Sequence, residues 1–184
     1  MYGLIHTALQ QLVIKKFSLK QWNQILEKAD LPKNAFLSTQ SYDDSVTLKL
    51  VGAVSEVLET PVDQCLEIFG QFWLAEFAPQ SYDMLLSASG DSLFDFLDNL
   101  NALHDRISTT FVGYGPPSFK LIRYSDSEGM LEYRSARSGM IPFVIGLIRG
   151  MEDRFGIQIT IESVDRKLTD TGDSALIKIK VDQK

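Results

Sequence analysis

Cysteine is nearly absent from this sequence: the chain of 184 residues contains one, Cys65. A single thiol excludes an intramolecular disulfide and any zinc site built from several cysteines. No signal peptide is predicted, because no apolar stretch near the start is followed by a small-residue cleavage site. We therefore expect a protein of the reducing cytoplasm.

An excess of positive charge is also lacking. The net charge of -6 and the pI near 4.9 argue against electrostatic binding to nucleic acid or to an anionic membrane surface. The longest apolar run, GMIPFVIGLI at 139–148, has about half the length of a membrane span. Neither a phosphate-cradling glycine loop nor a nucleophile elbow occurs, so the motifs give no support to an enzyme.

The patterns that are present predict an α+β fold. Apolar residues recur at helical spacing through about the first hundred residues. The predicted helices begin near Leu4, after Ser18, at Asp43–Asp44, at Asp63 and near Tyr82, and a long one runs from Ser92 to about Phe111. After the turn GYGPPS at 113–118, FKLIRY and MLEYRS form a hairpin, a helix covers 142–155, and ITIESV and ALIKIKV flank the turn TDTGDS.

These elements predict a single domain over 1–184 with two lobes. The N-terminal lobe, about 1–60, is helical, and the C-terminal lobe, about 61–184, carries helices and a four-stranded antiparallel sheet.

His104 lies on the apolar stripe of the predicted long helix, four residues after Leu100 and three before Ile107. A buried imidazole without a partner costs about 1–3 kcal/mol, so a partner is expected. The plainer interpretation is a core histidine bonded to a backbone carbonyl; the alternatives are a metal or a cofactor iron. His6 is the only other histidine, which disfavours a two-histidine iron or zinc site. One histidine can still hold haem iron, whose other in-plane ligands come from the porphyrin.

A second motif is EYRSARSG at 132–139, which places Tyr133, Ser135 and Arg137 at alternate positions of a predicted strand and hence on one face. All three side chains donate hydrogen bonds. A solvated strand face is the plainer interpretation. A haem pocket is the functional one, because haem is an apolar disc with two carboxylates at its edge, and a guanidinium suits a carboxylate.

Together with the N-terminal MYGLIH, these residues resemble the H-NOX family, the haem nitric oxide/oxygen-binding domains related to the haem domain of soluble guanylate cyclase. The likeness is to bacterial, stand-alone members. It implies a haem b held between the two lobes, with His104 as the proximal iron ligand and with Tyr133, Ser135 and Arg137 binding the propionates. It further implies that Pro117, Ile5 and Leu147 pack against the haem.

The resemblance also implies a function. Family members that bind O₂ stably place a tyrosine on the helix after the Tyr-x-Ser-x-Arg strand, and no tyrosine follows Tyr133 here. In the stretch SGMIPFVIGL, the residues Met140, Ile141, Pro142 and Phe143 offer no side-chain donor, and the indole of Trp73 is the main candidate donor elsewhere. The expectation is a sensor that binds NO, and also CO, without holding O₂. Release of His104 and movement of the lobes would then carry the signal.

We expect no catalytic domain after Lys184, so the expected output is a separate protein: a sensor histidine kinase or an enzyme that makes or degrades cyclic-di-GMP. Two other functions stay open. A cofactor-free module could bind an apolar small molecule or a partner helix in the same cavity. A haem enzyme is the weaker alternative, because cleaving an O–O bond needs polar distal groups.

Overall fold

The computed structural model describes residues 1–33, 36–109, 111, 115–169 and 172–183. Within these ranges the chain forms eight α-helices, one π-helical turn and four strands. The helices are α1 Gly3–Lys16, α2 Leu19–Lys28, α3 Asp44–Val57, α4 Val62–Phe72, α5 Pro79–Ser87, α6 Leu93–Asp98, α7 Leu100–Ser108 and α8 Ile141–Phe155, with the π-helical turn Trp73–Phe77 between α4 and α5. The strands are β1 Ser118–Arg123, β2 Glu128–Ser135, β3 Ile157–Thr169 and β4 Gly172–Gln183.

Side-chain caps fix three of the predicted helix starts. The Ser18 hydroxyl accepts a hydrogen bond from the Gln21 N–H at 3.1 Å, before α2. The Asp43 carboxylate accepts from the N–H of Ser45 at 2.8 Å, before α3. Ser92 caps α6 in the same way. Each cap satisfies a backbone donor that has no partner inside its helix, which stabilises the start by about 1 kcal/mol.

The prediction of one long helix from Ser92 to about Phe111 is wrong. The helix breaks at Asn99, whose backbone adopts φ -90° and ψ 0°, and α6 and α7 are separate. The Asn99 side chain donates to the carbonyls of Ser89 and Asp95, both at 3.0 Å. Asparagine competes in this way with the helical backbone. The apolar stripe continues across the break, so periodicity alone does not reveal it.

The predicted four-stranded antiparallel sheet is confirmed, with strand order β1-β2-β4-β3. Its buried face turns toward α6, α7 and α8 and carries large apolar side chains such as Phe119, Leu131 and Ile177. Parts of both predicted turns, Gly113–Tyr114 of GYGPPS and Asp170–Thr171 of TDTGDS, lie outside the described residues. None of the helices in the described ranges is both long enough and apolar enough to cross a membrane.

Two apolar clusters meet where α4 packs on α8. One cluster fills the space among α1 to α4, and the other lies between the sheet and α6 to α8. A Cβ atom on Gly70 would lie 2.2 Å from the carbonyl oxygen of Phe143, and one on Gly146 would lie 2.1 Å from that of Glu67. Only glycine permits this approach, so α4 and α8 are in direct backbone contact. The lobe boundary near residue 60 stays a prediction.

Candidate functional site

A cavity of about 250 Å³ lies between the two clusters. Its walls come from α1, the π-helical turn, α5 to α8 and the first two strands, and they are mostly apolar. All seven residues that the sequence assigns to the site reach the lining: Ile5, His104, Pro117, Tyr133, Ser135, Arg137 and Leu147. The fold therefore gathers residues 142 positions apart in the chain around one space.

His104 lies on α7 and reaches the cavity beside the aromatic ring of Phe119, with the two ring centroids 5.8 Å apart. Burial lowers the pKa of His104, while the charge of Asp105 and a backbone hydrogen bond to Pro117 oppose the shift. Because proline has no N–H, the imidazole donates to the Pro117 carbonyl. The ring is therefore neutral at neutral pH, and a neutral imidazole is the form that binds metal. This contact also agrees with the plainer interpretation of the sequence, a histidine that is hydrogen-bonded to a backbone carbonyl.

Tyr133 and Ser135 occupy one face of β2, as predicted, but the placement of Arg137 in the strand is wrong. The strand ends at Ser135, and Arg137 lies in the turn that follows. The Ser135 hydroxyl accepts a hydrogen bond from the Arg137 N–H at 3.0 Å and is also bonded to the Tyr133 phenol. Strand alternation thus brings Tyr133 and Ser135 together, and the turn adds Arg137 to them.

Arg137 joins the C-terminal part of the site to α3. Its Nε donates to the Asp44 carboxylate at 3.0 Å, and its Nη1 donates to the Gly115 carbonyl at 2.8 Å. These contacts use two of the five N–H donors of the guanidinium, which is suited to hold a further carboxylate. Burial raises the pKa of Asp44, but hydrogen bonds and charge from Arg137 and the Met1 ammonium outweigh it, so the pKa is lowered.

A further part of the cavity lining comes from α8 and the residue before it, and it is apolar. Met140 lies directly before α8, Phe143 and Leu147 lie on α8, and Phe143 packs on Phe69 with ring centroids 5.2 Å apart. Trp73 also lines the cavity, and its ring packs on the ring of Phe77 with the centroids 5.0 Å apart. It belongs to the π-helical turn, a distortion that often occurs at functional sites.

His6 is not among the lining residues. It is completely buried between α1 and α3, where its Nε2 lies 2.8 Å from the Thr47 hydroxyl. Burial, aided by the Met1 ammonium and opposed by Asp44, lowers its pKa to about 4.

Sequence reasoning missed several residues of the site. Asn101 on α7 binds both backbone groups of Phe119: its Nδ2 donates to the carbonyl at 2.7 Å, and its Oδ1 accepts from the N–H at 3.0 Å. The side chains of Tyr2 and Tyr82 add hydroxyl-bearing residues to the lining. The only sequence signal for Asn101 is a polar residue one helical turn before His104, which also suits an exposed position.

The lining chemistry fits haem. It combines broad apolar walls, one neutral imidazole and a group of three donors, which are the features that an apolar disc with an iron and two carboxylates requires.

Comparison with known proteins agrees with this chemistry. The family described as haem-NO-binding matches residues 2–163. Soluble guanylate cyclase gcy-35 of Caenorhabditis elegans is 31% identical over 91% of this chain and 25% of its own, and soluble guanylate cyclase 89Da of Drosophila melanogaster is 26% identical over 99% and 29%. This chain therefore spans about a quarter of the length of these curated relatives.

Solved structures show the same fold. The H-NOX protein from S. oneidensis in the Fe(II)NO ligation state superposes with a TM-score of 0.83 at 22% identity, covering 100% of both chains. The Fe(II) unliganded H-NOX protein from K. algicida gives a TM-score of 0.85 at 21% identity, covering 100% of this chain and 98% of that one. The chain belongs to the haem-NO-binding, or H-NOX, family, whose domains bind haem and act as gas sensors.

Proposed function

We propose that this chain is a haem-based sensor of nitric oxide that signals to a separate protein. The observation that carries the proposal is the lining of one cavity, which combines a single imidazole and grouped donors with apolar residues in and beside α8 that carry no donor. The first arrangement suits a haem, and the second suits a gas that needs no hydrogen-bond donor.

The proposed cofactor is haem b. With Cys65 as the only cysteine, the chain lacks the Cys-x-x-Cys-His motif that attaches a c-type haem. His104 is proposed as the axial ligand, and Tyr133, Ser135 and Arg137 as the propionate-binding residues. Pro117, Ile5 and Leu147 are proposed to pack against the ring, because all three line the same cavity.

The apolar lining contributed by α8 and the residue before it is the proposed basis of gas selectivity. Bound O₂ carries partial negative charge and is held by a donor, whereas NO and CO need none. Met140, Phe143 and Leu147 contribute no donor to that lining. We infer that NO and CO bind and that O₂ is not held stably. Trp73 and Tyr82 are the donors to test, since both reach the lining.

The proposed signal is a movement of α7. Haem, when bound, would supply an iron that His104 would hold and that could bind a gas. His104 ties α7 to the cofactor, and Asn101 ties the same helix to β1. When His104 is released, the polar contact to Phe119 and the apolar contacts of Leu100 and Leu103 are left to position α7. The Arg137–Asp44 ion pair links this region to α3 and offers a route to the helical lobe.

The proposed receiver is a cytoplasmic partner rather than an activity of this domain. A sensor histidine kinase and an enzyme of cyclic-di-GMP synthesis or degradation are the two candidates. In the curated relatives, the matching segment is part of proteins named soluble guanylate cyclases, which supports an enzyme as the receiver.

Absorption spectroscopy of protein produced with sufficient haem tests the proposal. We expect a strong Soret band, a His104→Gly variant that recovers iron ligation only with added imidazole, and a five-coordinate spectrum after NO is added to the ferrous protein. Folded protein that stays colourless would favour the cofactor-free module, and rapid turnover of peroxide would favour a haem enzyme. A stable O₂ complex in air would contradict the proposed selectivity.

A further inference from the structure

Asp173, at the start of β4, is a buried carboxylate that none of the roles above uses. Its relative exposure is 6%, and its Oδ2 accepts a hydrogen bond from the Met140 N–H at 2.9 Å. A buried carboxylate is costly unless it is paired or hydrogen-bonded, so its presence calls for a reason. Met140 is the residue directly before α8, and the turn at 136–140 that leads to it carries Arg137.

The start of β4 holds this turn at both ends. At the first end, a Cβ atom on Gly172 would lie 2.0 Å from the Ser135 carbonyl oxygen, so the two backbones are in direct contact. Gly172 has φ +139°, a conformation that favours glycine. At the other end, Asp173 binds the Met140 N–H. Between them, the Ser135 hydroxyl accepts from the Arg137 N–H, which fixes the backbone of Arg137 itself.

The charge of Asp173 also acts on the neighbouring phenol. Burial raises the pKa of Tyr133, and the Asp173 carboxylate adds to the rise, while Ser135 and Arg137 oppose it. The net effect keeps Tyr133 protonated, and only the protonated phenol donates a hydrogen bond. Asp173 therefore affects two residues: Arg137 through the turn that it binds, and Tyr133 through its charge.

We propose that Asp173 is a positioning residue for the propionate-binding group: its carboxylate fixes the turn at 136–140 so that Arg137 points into the cavity beside Tyr133 and Ser135. This inference rests on the proposed function, because it assumes that the three donors hold haem carboxylates.

The test measures the rate at which the purified ferric holoprotein loses haem to an excess of apomyoglobin. We expect Asp173→Ala to lose haem on the order of tenfold faster than the unmodified protein, the effect of losing one hydrogen bond to a charged group. Asp173→Asn should stay within about threefold, because its amide oxygen can still accept from Met140. Asp182→Ala is the matched control, since Asp182 is an exposed aspartate near the other end of β4.

Resonance Raman spectra give a second readout that general destabilisation would not move. The propionate bending bands should shift in Asp173→Ala and keep their positions in Asp173→Asn. An Asp173→Ala protein with unchanged haem loss and bands would overturn the inference. An Asp173→Asn protein that loses haem as fast as Asp173→Ala would also overturn the inference, because a side-chain oxygen that accepts from the Met140 N–H would then make no difference.

Two further measurements keep the outcomes distinct. If Asp173→Ala does not fold, the inference is tested by hydrogen exchange of the Met140 amide in the unmodified and Asp173→Asn proteins. Protection of this amide in both proteins supports the inference. Exchange as fast as that of an exposed amide overturns it. Arg137→Ala separates the two proposals. If Arg137→Ala loses haem no faster than the unmodified protein, the propionate site itself is refuted. If Arg137→Ala loses haem faster but Asp173→Ala does not, only the role of Asp173 is refuted.

Discussion

Two helices that line the cavity, α8 and α7, are held in place by different contacts. The helices α4 and α8 touch backbone to backbone at Gly70 and Gly146, so their separation is set by steric contact. By contrast, α7 is tied to β1 by the two hydrogen bonds between Asn101 and the Phe119 backbone. Steric contacts resist any added volume, whereas single hydrogen bonds contribute about 1 kcal/mol each and can be exchanged. We therefore expect α7, which carries His104, to be displaced more easily than α8, with the packing of Leu100 and Leu103 as its remaining restraint.

The largest effect is expected where α4 meets α8. Gly70→Ala would place a methyl group 2.2 Å from the Phe143 carbonyl oxygen, and the helices would have to separate. We expect the free energy of unfolding in urea to fall by about 3 kcal/mol or more. Gly52→Ala on α3 is the control, because nothing lies within 4 Å of its added Cβ, and this variant should gain about 0.5–1 kcal/mol. Equal stabilities of the two variants would show that α4 and α8 can separate freely.

The next effect is a pH dependence confined to the helical cluster. Burial lowers the pKa of His6 from 6.5 to about 4, so the unfolded chain binds the proton more readily than the folded one. The contribution of neutral His6 to stability is complete above pH 6.5 and is lost as the pH falls toward 4, by roughly 3 kcal/mol in total.

Urea unfolding at a series of pH values measures this loss. His6→Gln can keep a hydrogen bond to Thr47 but does not titrate, so its stability should change less over the same interval. Parallel curves for the two proteins would mean that His6 is not the group responsible.

A smaller effect is expected on the α7 side. Asn101→Ala removes both hydrogen bonds to Phe119 and should lower the free energy of unfolding by about 1–2 kcal/mol. Lys120→Ala, next to Phe119 on β1 and exposed, is the control and should stay within about 0.5 kcal/mol. The proposed signal adds a second readout: NO should displace α7 more readily in Asn101→Ala, which hydrogen exchange of its amides would detect.

The smallest effect is expected at the surface. Arg123 on β1 bridges Asp95 and Asp98 of α6, and all three side chains are more than two-fifths exposed. Exposed ion pairs contribute little, so Arg123→Gln should cost less than about 1 kcal/mol and the difference should shrink in 1 M salt. A large loss in the free energy of unfolding that persists in 1 M salt would mean that α6 is held rigidly.

The sequence predicts well what local chemistry decides. Helix starts at Ser18, Asp43 and Ser92 follow from capping, and the sheet follows from alternating strands and turn signals. All seven candidate site residues line one cavity, although the resemblance, rather than spacing, selected most of them.

The features that the sequence does not reveal depend on tertiary contacts. The break at Asn99 is hidden by an unbroken apolar stripe, and the Asn99 side chain there donates hydrogen bonds to the carbonyls of Asp95 and of Ser89, ten residues earlier. Asp173 sits in a polar stretch typical of an exposed turn, yet it is buried because β4 begins against Ser135. The contact of α4 with α8 depends on Gly70 and Gly146, and the sequence of either helix alone does not indicate this role.

The break at Asn99 makes α7 a short lever with its pivot at one end. The helix has nine residues and a length of about 13 Å, and His104 lies a little more than halfway along it from Asn99. If α7 swings about Asn99, the displacement at Ser108 is roughly twice that at His104, because the far end lies nearly twice as far from the pivot. A spectroscopic label at Ser108 would then amplify the motion of His104, and one at Asp98 would record almost nothing.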